Sequence, residues 1–144
     1  MTVYLDDIDV WDGESYGEYE MTESEILDFA EQYDPQWFHT DPERAADSIY
    51  GGLIASGWHT ASASMRLFVD GFLGETAGLG AKGVDGLRWP NPVYPGDVLT
   101  VHSEILDVDP VDEDRGFVRW KLDTTNQDGD TVFTMESLAL VARE

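Results

Sequence analysis

The chain contains no cysteine. Disulfides, thiol nucleophiles and thiolate metal ligands are therefore excluded as sources of stability or chemistry. Positive charge is almost as scarce. Eight lysines and arginines stand against 30 aspartates and glutamates, for a formal charge of -22, and Lys82 and Lys121 are the only lysines. A surface of that sign repels nucleic acid and anionic lipid, so neither is expected as a partner. No apolar run approaches the roughly 20 residues that span a bilayer. The first residues, Met1 to Asp9, carry neither a basic segment nor an apolar stretch, so no signal peptide is expected and a cytoplasmic location is. Histidine is rare too: the three stand at 39, 59 and 102.

What is present describes a folded enzyme-sized domain. A chain of 144 residues with 42% hydrophobic and 12% aromatic residues buries a sizeable core, and residues 1–144 are expected to form one domain. The acids are spread along the whole chain instead of gathering in a tail. That distribution points to a halophilic protein working in concentrated salt, where a Debye length near 3 Å screens the self-repulsion.

Periodicity gives the order of elements. Residues 14–20 read as a first strand with tyrosines at 16 and 19. Thr22-Glu23-Ser24-Glu25 has the form of a capping box ahead of a helix over 23–32, which Pro35 ends. Asp41-Pro42 has the form of an N-cap followed by proline and starts a short helix. The long helix is predicted over 57–73, with Trp58, Ala61, Met65, Phe68 and Phe72 as a buried seam widened by Leu67, Val69 and Leu73. The small run Ala61-Ser62-Ala63-Ser64 lets a sheet wrap closely around it, so this helix is expected to be central. Strands are predicted at 83–90, 98–108, 117–125 and 131–142, with turns at Pro95-Gly96-Asp97 and Asn126-Gln127-Asp128-Gly129. One strand, then helices, then antiparallel strands is an α+β order.

The chemistry concentrates between residues 33 and 58. Asp34 and His39 stand five positions apart in a short loop, a pairing suited to proton transfer near neutral pH. Polar loop residues also serve turns, and residue types alone leave that reading open. Gly57 begins the long helix, whose free N–H groups can hold a developing oxyanion. His59, inside that helix, reads as a satisfied core residue, and His102 as a strand residue at the rim. No second histidine or acid cluster lies at ligand spacing near His39, so no metal is expected. The sparse cations Arg44, Arg66, Lys82 and Arg88 are candidates for binding phosphate. Trp89 is a candidate for packing across a dimer interface.

Read together, Asp34, His39, Asp41-Pro42, Ile54-Ala55-Ser56-Gly57 and Pro92-Val93-Tyr94-Pro95-Gly96-Asp97 resemble the MaoC-like acyl dehydratases, the family of the (R)-specific enoyl-CoA hydratases, over residues 5 to 142. The resemblance implies a hot-dog fold, a curved antiparallel sheet wrapped around one long helix. It implies hydration of a trans-2-enoyl-CoA, or dehydration of the (R)-3-hydroxyacyl form. His39 would be the base on water, and Asp34 would hold that water and exchange a proton at the α-carbon. Gly57, with Ser56 and Gln36, would form the oxyanion and substrate-binding group, and Trp37, Phe38 and Trp58 the acyl pocket. Coenzyme A enters as part of the substrate, no separate cofactor is implied, and a homodimer is.

Two positions depart from the family pattern. Gln36 stands where asparagine is common, and Ser56 replaces the histidine before the glycine. The serine that often supports the catalytic aspartate falls at Met65, with Ser62 and Ser64 close by. A hot-dog thioesterase and a non-catalytic acyl-binding module remain the alternatives.

Overall fold

The computed structural model describes residues 1–10 and 13–144. Its strands are β1 (Glu14–Glu20), β2 (Gly78–Arg88), β3 (Val98–Pro110), β4 (Arg115–Thr125) and β5 (Thr131–Ala142). Its helices are α1 (Glu23–Tyr33), α2 (Trp37–Thr40), α3 (Pro42–Ala46) and α4 (Gly57–Gly71). All strand pairs are antiparallel, in the order β1-β3-β4-β5-β2. This is the α+β hot-dog architecture: one curved five-stranded sheet with α4 lying across it. No helix among the described residues is long and apolar enough to cross a membrane.

Alternation builds the inner face of the sheet. Val118, Trp120, Leu122 and Thr124 of β4 are buried while their neighbours are partly exposed, as a half-covered strand requires. Phe68 of α4 meets Trp120 edge-on at 5.2 Å and Tyr16 of β1 at 6.2 Å. With Leu67, Val101, Ile105 and Phe133 they form the main core. Tyr16 and Tyr19, three positions apart, would face opposite sides of a regular strand. A bulge between them, with Gly17 at φ +52°, turns both toward the core.

The long helix is less enclosed than its sequence pattern indicates. Its buried residues are His59, Thr60, Ala63, Ser64, Leu67 and Phe68. Trp58, assigned to the seam, is 56% exposed, and Val69 is exposed as well. The stripe runs through polar side chains because the sheet supplies a partner: Ser64 Oγ donates to the Thr60 carbonyl and lies 2.7 Å from Thr124 Oγ1. Two buried hydroxyls that satisfy each other fit a thin space that larger apolar groups would not.

Other boundaries differ for local reasons. The helix at Trp37–Thr40 is a single turn within a stretch read as loop. Strand β2 begins at Gly78, five residues earlier than predicted, because it is exposed on both faces and shows no alternation. The capping box is half made. Thr22 accepts from the Glu25 N–H at 3.3 Å, while the Glu25 carboxylate accepts from the Tyr19 hydroxyl at 3.2 Å. Asp41 caps α3 as expected, accepting from the Arg44 N–H.

Candidate active site

Three segments converge where α1 ends. Pro35 stops α1 at Tyr33, and Asp34 follows as its C-cap, its N–H donating to the Ala30 carbonyl. After Pro35 and Gln36 the chain coils into α2, which carries His39 on its buried side. An extended piece, residues 53–56, then leads into α4. It is tied on both edges: the Ile54 N–H donates to the Phe38 carbonyl at 3.1 Å, and the Ala55 N–H to the Val93 carbonyl at 2.9 Å. Val93 lies in the Pro92–Asp97 turn. There the Asp97 carboxylate accepts from the Tyr94 N–H at 2.9 Å and from Gln127 at 2.9 Å. The distant Pro-Val-x-x-Gly-Asp motif thus sets the position of the segment that precedes Gly57.

His39 is 5% exposed, and both ring nitrogens face partners. Nδ1 lies 2.8 Å from the Ile54 carbonyl oxygen. A carbonyl only accepts, so Nδ1 carries the proton and Nε2 is the basic nitrogen. Nε2 faces Asp34 Oδ2 at 3.3 Å. That same oxygen accepts from the Ser56 hydroxyl at 2.7 Å, and Oδ1 accepts from the Gln36 amide at 2.6 Å. Burial pushes the Asp34 carboxyl up. The hydrogen bonds from Ser56 and Gln36, with the nearby His39, outweigh burial and hold it below the usual carboxylate range.

Ser56 and Gln36 therefore sit differently from their expected place as substrate contacts. Ser56 is fully buried, and each spends its polar side chain on Asp34. The two departures from the family pattern are the two donors that keep the carboxylate ionised. Ser62 and Ser64, considered as supports for the aspartate, bond to the Trp58 and Thr60 carbonyls instead.

Asp34, His39 and Gly57 line one cavity of about 400 Å³, together with Phe38, Tyr50, Ile54, Trp58, Thr60, Trp89, Asn91, Val93 and Val132. That volume is at the small end for ligand pockets. Phe38 and Trp58 are among the walls, as expected. Trp37 is not: it stands behind Phe38 at 5.3 Å, with the Arg44 guanidinium 4.5 Å over its ring.

Gly57 serves a packing role that the sequence did not reveal. A Cβ there would fall 2.5 Å from the Trp89 ring. The Trp89 indole N–H donates to the Gly57 carbonyl at 2.7 Å, and its ring meets Trp58 edge-on at 5.1 Å. The missing side chain makes room for an indole over the helix start, while the Gly57 and Trp58 N–H groups, ahead of the His59 N–H that donates to the Ser56 carbonyl at 3.0 Å, keep no intrahelical acceptor.

Sequence reasoning passed over Tyr50, Thr60, Asn91 and Trp89 as cavity residues. Thr60 alone had a usable signal, being three positions beyond Gly57 on the same helix face. His59 is buried as expected but not satisfied: its Nδ1 has no hydrogen-bond partner, and the ring stacks on Phe29 at 4.9 Å. His102 lies at the partly exposed rim, 3.1 Å from Ser15 Oγ. Of the four nominated cations, Arg66 is tied to Asp70 at 2.7 Å. Arg44, Lys82 and Arg88 form no ion pair among the described residues.

Comparison with known proteins places this geometry. The family described as MaoC like domain matches residues 13–127. YdeM of Bacillus subtilis is 34% identical over 124 residues, covering 85% of this chain and 87% of its own. The 3-hydroxyacyl-thioester dehydratase Z of Mycobacterium tuberculosis is 32% identical over 118 residues, covering 78% of this chain and 77% of its own. The crystal structure of a MaoC-like dehydratase from Rhodospirillum rubrum superimposes with a TM-score of 0.87 at 37% identity, covering 99% of this chain and 98% of that one.

Proposed function

The chain belongs to the MaoC-like dehydratase family, and from that premise we propose that it is a hydro-lyase acting on a coenzyme A thioester. It adds water across a trans-2-enoyl group, or removes it from the (R)-3-hydroxyacyl form. The observation that carries this reading is the 3.3 Å approach of His39 Nε2 to Asp34 Oδ2 on a cavity wall. The basic nitrogen and the carboxylate oxygen are both acceptors. A water molecule seated on the cavity side of the pair, within reach of both atoms, gives a hydrogen to each and turns its oxygen toward the substrate.

The steps balance without a further reagent. His39 Nε2 removes a proton from water as the oxygen bonds to the β-carbon. The C2–C3 π electrons move toward the carbonyl, and the enolate oxygen is held at the α4 N-terminus by the Gly57 N–H. The proton taken by His39 then passes to the α-carbon, restoring the carbonyl. Asp34, held in its ionised form, offsets the imidazolium charge meanwhile. Its low pKa suits an acceptor better than a standing acid, so the donor to carbon is assigned to His39.

Thioester hydrolysis, in which the carboxylate and water attack the carbonyl instead of the β-carbon, is the second reading, and free-thiol release measures it directly. The strongly acidic chain disfavours an acidic carrier protein over coenzyme A. A homodimer is part of the proposal. Its support is β2, whose outer edge pairs with no strand among the described residues and whose Leu79 and Val84 are exposed.

The test is a panel of enoyl-CoA substrates of increasing chain length, assayed in molar salt. Loss of the conjugated enoyl absorbance is followed beside free-thiol release. Hydration by the wild type, lost in Asp34→Asn and His39→Ala, supports the assignment. Hydration that survives both substitutions, or thiol release without hydration, overturns it.

A further inference from the structure

The face of α4 that meets the cavity carries one hydroxyl not used by the mechanism above. Thr60 is 2% exposed and lines the same cavity as Asp34, His39 and Gly57. Its backbone is engaged: the N–H donates to the Ser56 carbonyl at 3.2 Å, and its carbonyl accepts from Ser64 Oγ at 2.8 Å. Its hydroxyl is different. Among the described residues it takes no hydrogen bond, although a helical threonine commonly folds back onto the carbonyl one turn earlier. Nor is it sealed in the protein, because His59 Nδ1 is the buried side-chain polar atom left without a partner. At a residue this enclosed, the space open to the hydroxyl is the cavity itself.

Helix geometry says which part of the cavity that is. Gly57 and Thr60 are i and i+3, on one face, and side chains on a helix lean toward its N-terminus. The Thr60 hydroxyl therefore leans toward the turn whose first N–H belongs to Gly57. We propose that the Thr60 hydroxyl is a second donor to the thioester carbonyl oxygen, completing with the Gly57 N–H the cradle in which the enolate forms. The inference rests on the hydro-lyase reading and adds one catalytic residue to it. The neighbouring walls, Ile54, Ala55, Val93 and Val132, are apolar and buried. A hydroxyl facing them gains a partner when a carbonyl oxygen arrives, and its strength grows as that oxygen takes on charge.

The test uses Thr60→Val, which keeps the shape and removes the hydroxyl, with Thr60→Ala as a second variant and Thr60→Ser as the conservative control. Removal of one such donor is expected to lower kcat by about 10²-fold with KM little changed, and serine is expected to restore most of the rate. The infrared carbonyl stretch of a bound enoyl-CoA is expected to move toward its value in free solution in the valine and alanine variants. Circular dichroism and thermal melting establish that each variant is folded, and alanine stands in should valine not fold. Unchanged kcat in the folded variants overturns the proposal. So does a loss confined to KM, or confined to acyl chains bearing a polar substituent, since the hydroxyl would then read the chain and not the carbonyl. A wild type that hydrates no enoyl-CoA removes the underlying reading as well, and that failure is recognised because it precedes any substitution.

Discussion

His39 and His59 are equally hidden, at 5% and 6% exposure, yet they sit in opposite electrostatic situations. His39 has a carbonyl on one nitrogen and an ionised carboxylate at the other. Nδ1 is committed to the Ile54 carbonyl, and Nε2 faces Asp34 on the cavity wall. His59 leaves Nδ1 without a partner and rests flat on Phe29. Burial pushes the His59 imidazole below its usual pKa, and the nearby Glu25 only partly opposes this. The difference teaches that burial alone does not make a histidine functional; directed partners do. Polar groups convert a buried ring into a reagent when they fix which nitrogen holds the proton.

The comparison can be broken most forcefully at the end proposed to carry the chemistry. His39→Ala and Asp34→Asn are each expected to lower the hydration rate by about 10²–10⁴-fold, measured as kcat/KM on the most rapidly hydrated enoyl-CoA. The matching change at the other ring, His59→Phe, is expected to leave that parameter within about threefold of wild type, since His59 lines no part of the cavity. Equal losses at both rings would end the distinction.

Ser56→Ala tests what holds Asp34. Removing a hydrogen bond to a charged group costs about 1.5–3 kcal/mol. It also takes away the strongest of the influences that lower the Asp34 pKa, leaving burial less opposed. The sign follows from the direction of the shift. A carboxyl whose folded pKa is depressed contributes stability that is present above its unfolded value and is lost as pH falls through the folded value. In Ser56→Ala the folded value rises, so the acid limbs of both activity and stability are expected to move to higher pH. A kcat/KM profile with an unmoved acid limb would mean that Ser56 does not tune Asp34.

The smallest effect belongs to His59. In the folded state its pKa is depressed, so the unfolded chain takes up the proton first. Stability is therefore full above the usual histidine value and declines as pH falls below it. Glu18, Glu25, Asp28 and Asp70 share its groove with Arg66, and of these Glu25 tempers that decline. Phenylalanine keeps a flat ring to stack on Phe29 and lacks the unpartnered nitrogen, and the open groove beside it takes the added bulk. His59→Phe is expected to raise stability by about 1 kcal/mol and to flatten the decline between neutral pH and pH 5. Urea melts at the two ends of that range measure both.

Much of this molecule is visible in its sequence. Periodic segments with strong punctuation emerge cleanly: Thr22 and Pro35 bracket α1, Asp41 caps α3, and the alternation of Val118, Trp120, Leu122 and Thr124 marks β4. The pairing of Asp34 with His39 is also legible from spacing and order. What escapes depends on contacts between remote residues. Trp58 fits a helical seam by counting, yet it faces outward because Trp89 draws it to the cavity mouth. Ser64 reads only as part of a thin helix face until Thr124, sixty positions away, meets its hydroxyl. Ser56 looks like a lost histidine until folding brings it to Asp34. Strand β2 gives no pattern because neither of its faces is buried. Local propensity carries no record of such partners, and the four-residue helix α2 is too short for periodicity to show it.

The Trp58–Trp89 pair has an optical consequence. Two indoles set edge-on at 5.1 Å, both partly open to solvent, border the cavity, whereas Trp120 is sealed in the core. Under the proposed function, a thioester settling between the indoles and His39 would displace water from their rings and leave Trp120 untouched. Intrinsic fluorescence then reports occupancy without an added dye: the emission shifts to shorter wavelength on binding, and the Trp89→Phe variant leaves Trp58 as the one indole of the pair that contributes to that shift.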